Sequence, residues 1–240
     1  MPDSSERRQF GRYLIVLPIL HKPEDPAAGS VGVGWTRNVG EGGTCVDLVE
    51  SLRLQTPLRV RLQTDQGTIE LEAQVVWTGE PSPGGGGIRH GLAFAPISHE
   101  QHQALQDLLV SKGEKRLAGV RLPLDLSVTC QPRGSEGVSV QGRTGNMSRG
   151  GMLLHLSEPI PPETVLEITL HTPQGPLTAE GEVVGGARRE GRSPGEPMRL
   201  GLQFTVLGWS TSLSLGLFLV EEVDKDAPQQ KGRPDGQAQA

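Results

Sequence analysis

The sequence predicts an all-β protein made of two copies of one domain. Three observations lead there: a duplicated series of short motifs, apolar alternation over strand-length stretches, and a composition crowded with turn formers. The chain has 240 residues, of which 33 are Gly and 19 Pro, with hydrophobic residues at 35% and aromatics at 3%. So many turn formers, with no collagen period, favour many short strands over long helical bundles. At roughly 100–150 residues per domain, the length suits two small units.

The duplication is read directly. Asn38-Val39-Gly40-Glu41-Gly42-Gly43 recurs 108 residues later as Asn146-Met147-Ser148-Arg149-Gly150-Gly151. Val75-Val76 recurs at Val183-Val184 with the same offset, and Gly91-Leu92-Ala93-Phe94 as Gly201-Leu202-Gln203-Phe204 with an offset of 110. Landmarks in one order at a nearly constant offset mark a repeat. The copies span residues 1–111 and 112–223. The stretch 224–240 is nearly devoid of apolar residues and is expected to be a disordered tail.

The elements follow in order. Thr44–Leu48 reads as a strand after the first Gly-rich turn. Leu58–Leu62 and Ile69–Val75 alternate with period two, as half-buried strands do, and Leu166–Leu170 and Ala179–Val183 repeat them. Gly79–Gly87 and Gly185–Pro197 read as surface hairpin connections. Ser98 is an N-cap candidate for a helix over His99–Leu109, with Ala104, Leu105, Leu108 and Leu109 on one face. Thr211–Val223 fits both a strand and a helix pattern, and the repeat favours helix.

Charge and cysteines narrow the function. A net charge of −5 argues against a general binder of nucleic-acid polymers, which needs a basic face. The polar, charged N-terminus does not read as a signal peptide, and no apolar run approaches a membrane span. A cytoplasmic protein without membrane insertion is expected. Cys45 and Cys130 have no zinc or redox spacing; both read as small core residues in corresponding places. His99 and His102 stand at i, i+3 without a second ligand pair and read as surface residues, so no metal site is expected. Trp35 and Trp77 read as packing residues. The spacings suggest no Ser/His/Asp or Cys/His arrangement and no Walker-type loop, so no catalytic residues are assigned.

Two clusters remain. Arg7, Arg8 and Arg12 precede the first apolar strand. Arginine forks pair with phosphate and stack on bases. The turn Asn38–Gly43 combines an amide side chain with glycines that expose backbone N–H groups. Together they suit a small ligand carrying phosphate and nucleobase.

An arginine pair, a third arginine after three residues, and Asn/Asp-x-Ser-x-x-Gly some 25 residues on resemble the PilZ domain, as do the closing strands Gly91–Phe94 and Gly201–Phe204. The resemblance implies two six-stranded antiparallel β-barrels in tandem, each with a C-terminal helix. It also implies binding of cyclic di-GMP between a mobile arginine arm and the Gly-rich turn, with a protein partner reading the resulting change. Motility, cell polarity or exopolysaccharide output would be the controlled process.

Each copy departs from the pattern once. The first keeps Arg7, Arg8 and Arg12 but has Gly40 in place of the serine. The second keeps Asn146, Ser148 and Gly151, but four residues separate Arg116 from Arg121. Losing a hydroxyl hydrogen bond costs about 0.5–1.5 kcal/mol; losing a desolvated charge contact costs about 2–5 kcal/mol. The first copy, with Arg7, Arg8, Arg12, Asn38, Gly40 and Gly43, is therefore expected to be the principal site. Arg116, Arg121, Asn146, Ser148 and Gly151 form a possible second one. The alternative is a degenerate adaptor of this family that binds proteins and no nucleotide.

Overall fold

The structure, a computed structural model, describes residues 11–81, 86–113, 120–135, 138–186 and 197–226. Arg7, Arg8 and Arg116 lie outside them, as do residues 82–85 and 187–196 of the two expected hairpin loops and residues 227–240. The first copy holds β1 (Pro18–Pro23), β2 (Gly32–Gly40), β3 (Gly43–Leu48), β4 (Pro57–Thr64), β5 (Gly67–Pro81), β6 (Ile88–Phe94) and helix α1 (His99–Gly113). The second holds β7 (Leu122–Pro123), β8 (Ser127–Pro132), β9 (Val140–Ser148), β10 (Gly151–Leu156), β11 (Val165–Thr172), β12 (Gly175–Gly186), β13 (Met198–Val206) and helix α2 (Trp209–Asp226).

Both copies close as six-stranded antiparallel barrels. In the first, β1 pairs with both β2 and β4, giving the order β1-β2-β3-β6-β5-β4. In the second, β8 pairs with β9 and β11 while β10 pairs with β9 and β13; the short β7 adds to the outside of β9. Closure leaves none of these six strands an unpaired edge. The alternating residues of β4 explain the sequence pattern: Leu58, Val60 and Leu62 are buried in the barrel.

A threonine does the same work in each copy. Thr36 Oγ1 donates to the Ile15 carbonyl at 2.7 Å and accepts from Leu17 N at 2.9 Å. Thr144 Oγ1 donates to the Leu124 carbonyl at 2.5 Å and accepts from Leu126 N at 2.9 Å. Each fixes the segment entering its barrel and satisfies buried backbone groups. The final glycine of each Gly-rich turn is structural as well. A side chain on Gly43 would run into the Leu92 carbonyl, and one on Gly151 into the Leu202 carbonyl, where adjacent strands approach closely.

The helix expectations hold. Ser98 caps α1 reciprocally: Gln101 N donates to Ser98 Oγ at 3.2 Å and Ser98 N to Gln101 Oε1 at 2.8 Å, as in a capping box. The double pattern of α2 has a physical cause. The helix packs against β12 of its own barrel and also across β1, β2, β4 and β5 of the first, so Leu215, Phe218, Leu219 and Val220 are all buried. A helix with two barrels beside it needs more than one apolar stripe. It extends through Asp226, three residues into the segment expected to be disordered. Apart from Cys45 and Val220, the buried apolar side chains of both barrels and both helices form one contiguous cluster.

Two sequence expectations need correction. Gly79, Glu80 and Pro81 belong to β5, and Gly185 and Gly186 to β12, so the hairpin connections are shorter than expected. The two cysteines do not correspond. Cys130 lies on β8, in the place that His21 takes on β1; Cys45 lies on β3, where the second copy has Leu153. The entering segments are offset by 109 residues and the strands after them by 108, which shifts the pairing by one. Cys130 belongs to the apolar core and burial pushes its thiol up to about 12.

Candidate functional site

The arm and the turn of the first copy do meet. Tyr13 and Val39 exchange both backbone hydrogen bonds at 2.9 Å, laying residues 11–13 along the end of β2. Gly40 permits this. A Cβ at position 40 would stand 2.5 Å from the Gly11 carbonyl oxygen and 3.4 Å from Arg12 Cγ. The glycine that departs from the family pattern thus makes room for the arm. Gly40→Ser, which restores that pattern, is expected to lift residues 11–13 off β2 at a cost of about 1–3 kcal/mol. Hydrogen exchange at the Tyr13 and Val39 amides should then quicken fivefold or more; unchanged protection would show that the arm tolerates the hydroxyl.

The turn also joins the closing strand. Phe94 N donates to the Gly42 carbonyl at 3.1 Å and Phe204 N to the Gly150 carbonyl at 3.0 Å. The repeated motifs are therefore neighbours in space. Beside the turn, the register of β2, β3 and β6 places Asn38, Cys45 and Gly91 together, with Trp35, Asp47 and Arg89 next along the same outer face. Among the described residues, buried Asn38 Oδ1 has no hydrogen-bond partner, and Asn146 Oδ1 repeats that condition in the second copy. An orphaned buried acceptor at a repeated position is unusual.

Arginines ring this face. Arg12 and Arg89 are exposed, and among the described residues neither side chain makes a hydrogen bond or ion pair. Arg37 Nε donates to both carboxylate oxygens of Asp47, at 2.9 and 3.0 Å. Burial pushes the Cys45 thiol up, while Arg89, Arg37 and Arg12 pull it down and Asp47 adds to the rise. Cys45 is buried under the arginines on the outer side of β3 and stands outside the apolar core cluster. Trp77, read as a packing residue, is 37% exposed. It covers Gly91, whose place leaves no room for a side chain beneath the ring. Trp35, also read as packing, is buried, and its Nε1 donates to the Ser212 carbonyl of α2 at 3.1 Å.

In the second copy, Leu122 and Pro123 pair with Met147 and Asn146, as Tyr13 pairs with Val39. That register gives the exposed Arg121 the place that Arg12 has in the first copy. Counting back along the sequence, Arg116 matches Arg7 and Leu117 stands where the first copy has Arg8. The second copy therefore lacks one specific arginine rather than carrying all of them out of step. Its Ser148 is buried; Ser148 Oγ donates to the Gly151 carbonyl at 3.2 Å and accepts from Gly150 N at 3.3 Å.

Sequence reasoning missed Arg37, Asp47, Arg89 and Arg149. Arg149 Nη1 lies 3.4 Å from Asp47 Oδ2 in the other copy, and Arg149 Cζ stands 5.7 Å from the Trp35 ring centre and 5.5 Å from that of Trp209. Burial lowers the basicity of this guanidinium, and Asp47 opposes that effect. Only the duplicated turn itself, with arginine in one copy and Glu41 in the other, offered a signal.

The profile of the PilZ domain matches residues 6–111 and again residues 114–210. The chain belongs to the PilZ family. Its two PilZ domains account for the paired barrels and the repeated turns. Among solved structures, the chain is similar to the inhibitor of motility MotI/DgrA of Bacillus subtilis, at 12% identity over 89% of this chain and 98% of that one, with a TM-score of 0.39. It is also similar to the MrkH–c-di-GMP complex of K. pneumonia, at 14% identity over 89% and 90%, with a TM-score of 0.39. A third likeness is to YcgR of Escherichia coli in complex with c-di-GMP, at 14% identity over 88% and 86%, with a TM-score of 0.36. No curated protein sequence matches the chain significantly. No helix among the described residues is long and apolar enough to cross a membrane, and no cluster of His, Cys, Asp and Glu among them suits a metal ion.

Proposed function

We propose that this PilZ chain is a receptor for cyclic di-GMP whose principal site is the outer face of the first barrel. The observation that carries the reading is the docking of residues 11–13 against Gly40, beside the Asn38 acceptor and the exposed Arg12 and Arg89, whose polar groups find no partner among the described residues. An anionic dinucleotide gains charge-assisted hydrogen bonds from such guanidinium groups. Arg7 and Arg8 stand just ahead of the docked segment in the sequence and complete the arm. Binding is without turnover, and the output is a change of shape or surface read by a protein partner. By family, that partner governs motility, cell polarity or exopolysaccharide production in the cytoplasm.

A calorimetric titration with cyclic di-GMP tests this. Arg8→Ala and Arg12→Ala should each weaken binding at least tenfold, since a lost charge contact to phosphate costs about 2–5 kcal/mol. Arg116→Ala and Arg121→Ala should weaken it less. Equal losses in both copies would defeat the assignment to the first barrel. The absence of heat at high nucleotide concentration would favour the adaptor reading, for which Gly40 in the serine position is the supporting observation. Mass analysis of the nucleotide after incubation should show it intact.

A further inference from the structure

The second copy carries the more complete turn, yet that turn faces the other barrel. Arg149 reaches across to Asp47, whose side chain is fully buried, and lies over Trp35 of the first copy and Trp209 at the start of α2. Beside it, α2 accepts the Trp35 Nε1 hydrogen bond, and Gly216 leaves room for the ring, where a Cβ would come within 3.3 Å.

The two copies differ at the residues that make this contact. They agree at Thr36 and Thr144, at Asn38 and Asn146, and at Gly43 and Gly151. They disagree where the contact needs unlike partners: Trp35 against Arg143, Glu41 against Arg149, and Asp47 against His155. A head-to-tail contact between two copies uses different surfaces on each, so divergence is required there. The Ser148 hydroxyl is already occupied by hydrogen bonds within its own turn. A planar guanidinium can stack on indole faces and pair with a carboxylate at the same time, which an ammonium cannot match.

We infer that the Asn146–Gly151 turn is an interdomain clasp, with Arg149 as its anchor and the Trp35–Asp47 surface of the first barrel as its partner, and that it is not a second nucleotide site. The inference builds on the proposed site in the first barrel. Its structural part stands apart from nucleotide binding.

The test uses the full chain and the Arg149→Ala and Arg149→Lys variants. Without nucleotide, Arg149→Ala should shift tryptophan emission to the red and raise acrylamide quenching at least twofold. It should also lengthen the distance between spin labels placed on the exposed positions Arg59 and Glu167, one on each barrel. Arg149→Lys should restore neither fully. Unchanged emission, quenching and distance in Arg149→Ala would overturn the clasp. In calorimetry, wild-type protein should bind one nucleotide unit per chain, and Ser148→Ala should leave that affinity within twofold. A tenfold loss in Ser148→Ala would return the turn to nucleotide binding and overturn the inference. If cyclic di-GMP does not bind at all, the receptor reading fails, while the emission and distance measurements still decide the clasp.

Discussion

Asp47→Ala is expected to destabilise the chain by about 3 kcal/mol at pH 7, measured as a fall in the urea midpoint at unchanged m-value. Asp47 is fully buried and holds two arginines, one from each copy: Arg37 by two hydrogen bonds and Arg149 by one. Removing the carboxylate leaves two guanidinium groups facing each other with no anion between them. Breaking a buried pair in this way typically costs about 3–5 kcal/mol. The lower end applies here, because the side chains of Arg37 and Arg149 are 44% and 27% exposed and regain some hydration. Asp47→Asn keeps the shape and an acceptor, and should cost less. Asp125 provides the contrast. It also pairs with an arginine, Arg143, but is 73% exposed, and exposed pairs contribute little to stability. Asp125→Ala should leave the midpoint unchanged. Equal effects at positions 47 and 125 would show that the buried cluster carries no special weight.

Much of the fold could be read in the sequence because the information is local and occurs twice. Period-two alternation along β4 and β5 marks strands whether or not their partners are known. Gly43 and Gly151 recur because each lies where two strands approach closely, and that requirement is met within a single barrel. The contact between barrels is different in kind. Arg149 and Asp47 are 102 residues apart, and neither has a counterpart of its own type in the other copy, so no repeat displays them. The same contact hid the nature of α2. A helix covered on two sides carries extra buried apolar residues, here Leu215, Phe218, Leu219 and Val220; with the half-buried Leu213 and the exposed Leu217 they imitate a strand's alternation. Of the candidate site, the sequence singled out Arg12, Asn38 and Gly40, which the fold brings together. Arg37 and Arg89 were not singled out, since they join that face only through the register of β2, β3 and β6. The apparent misplacement of the second arginine cluster came from counting between arginines. The β7–β9 pairing supplies a reference that gives Arg121 the place of Arg12; counted back along the sequence from there, Leu117 falls at the position of Arg8.

Acidification below pH 6.5 should weaken the fold. His21 is buried on β1 and packs into the space left by Gly32 on the paired strand, where a Cβ would stand 2.6 Å from Nε2. Its Nδ1 has no hydrogen-bond partner among the described residues. Burial lowers its pKa from 6.5 to about 4, with His90 adding to the fall and Glu50 opposing it. His90 is lowered too, chiefly by burial, although its hydrogen bond to the Ile88 carbonyl and the nearby Asp47 act the other way. In the unfolded chain the imidazole of His21 takes up its proton near pH 6.5; in the folded chain it resists until about pH 4. Stability is therefore full above pH 6.5 and falls as the pH drops from 6.5 towards 4. At about 1.4 kcal/mol per pH unit, that interval gives a loss of about 3 kcal/mol from His21 by pH 4, and His90 acts in the same direction. The exposed Asp125, held below the usual carboxylate range by its hydrogen bond to Arg143, acts only at lower pH. Urea midpoints measured from pH 7.5 to 4 should show the slope, and His21→Leu should flatten most of it. Leucine fills similar space and strands no hydrogen-bond partner at Nδ1, so the variant should retain the barrel. A slope as steep in His21→Leu as in the wild type would mean that the acid sensitivity arises elsewhere.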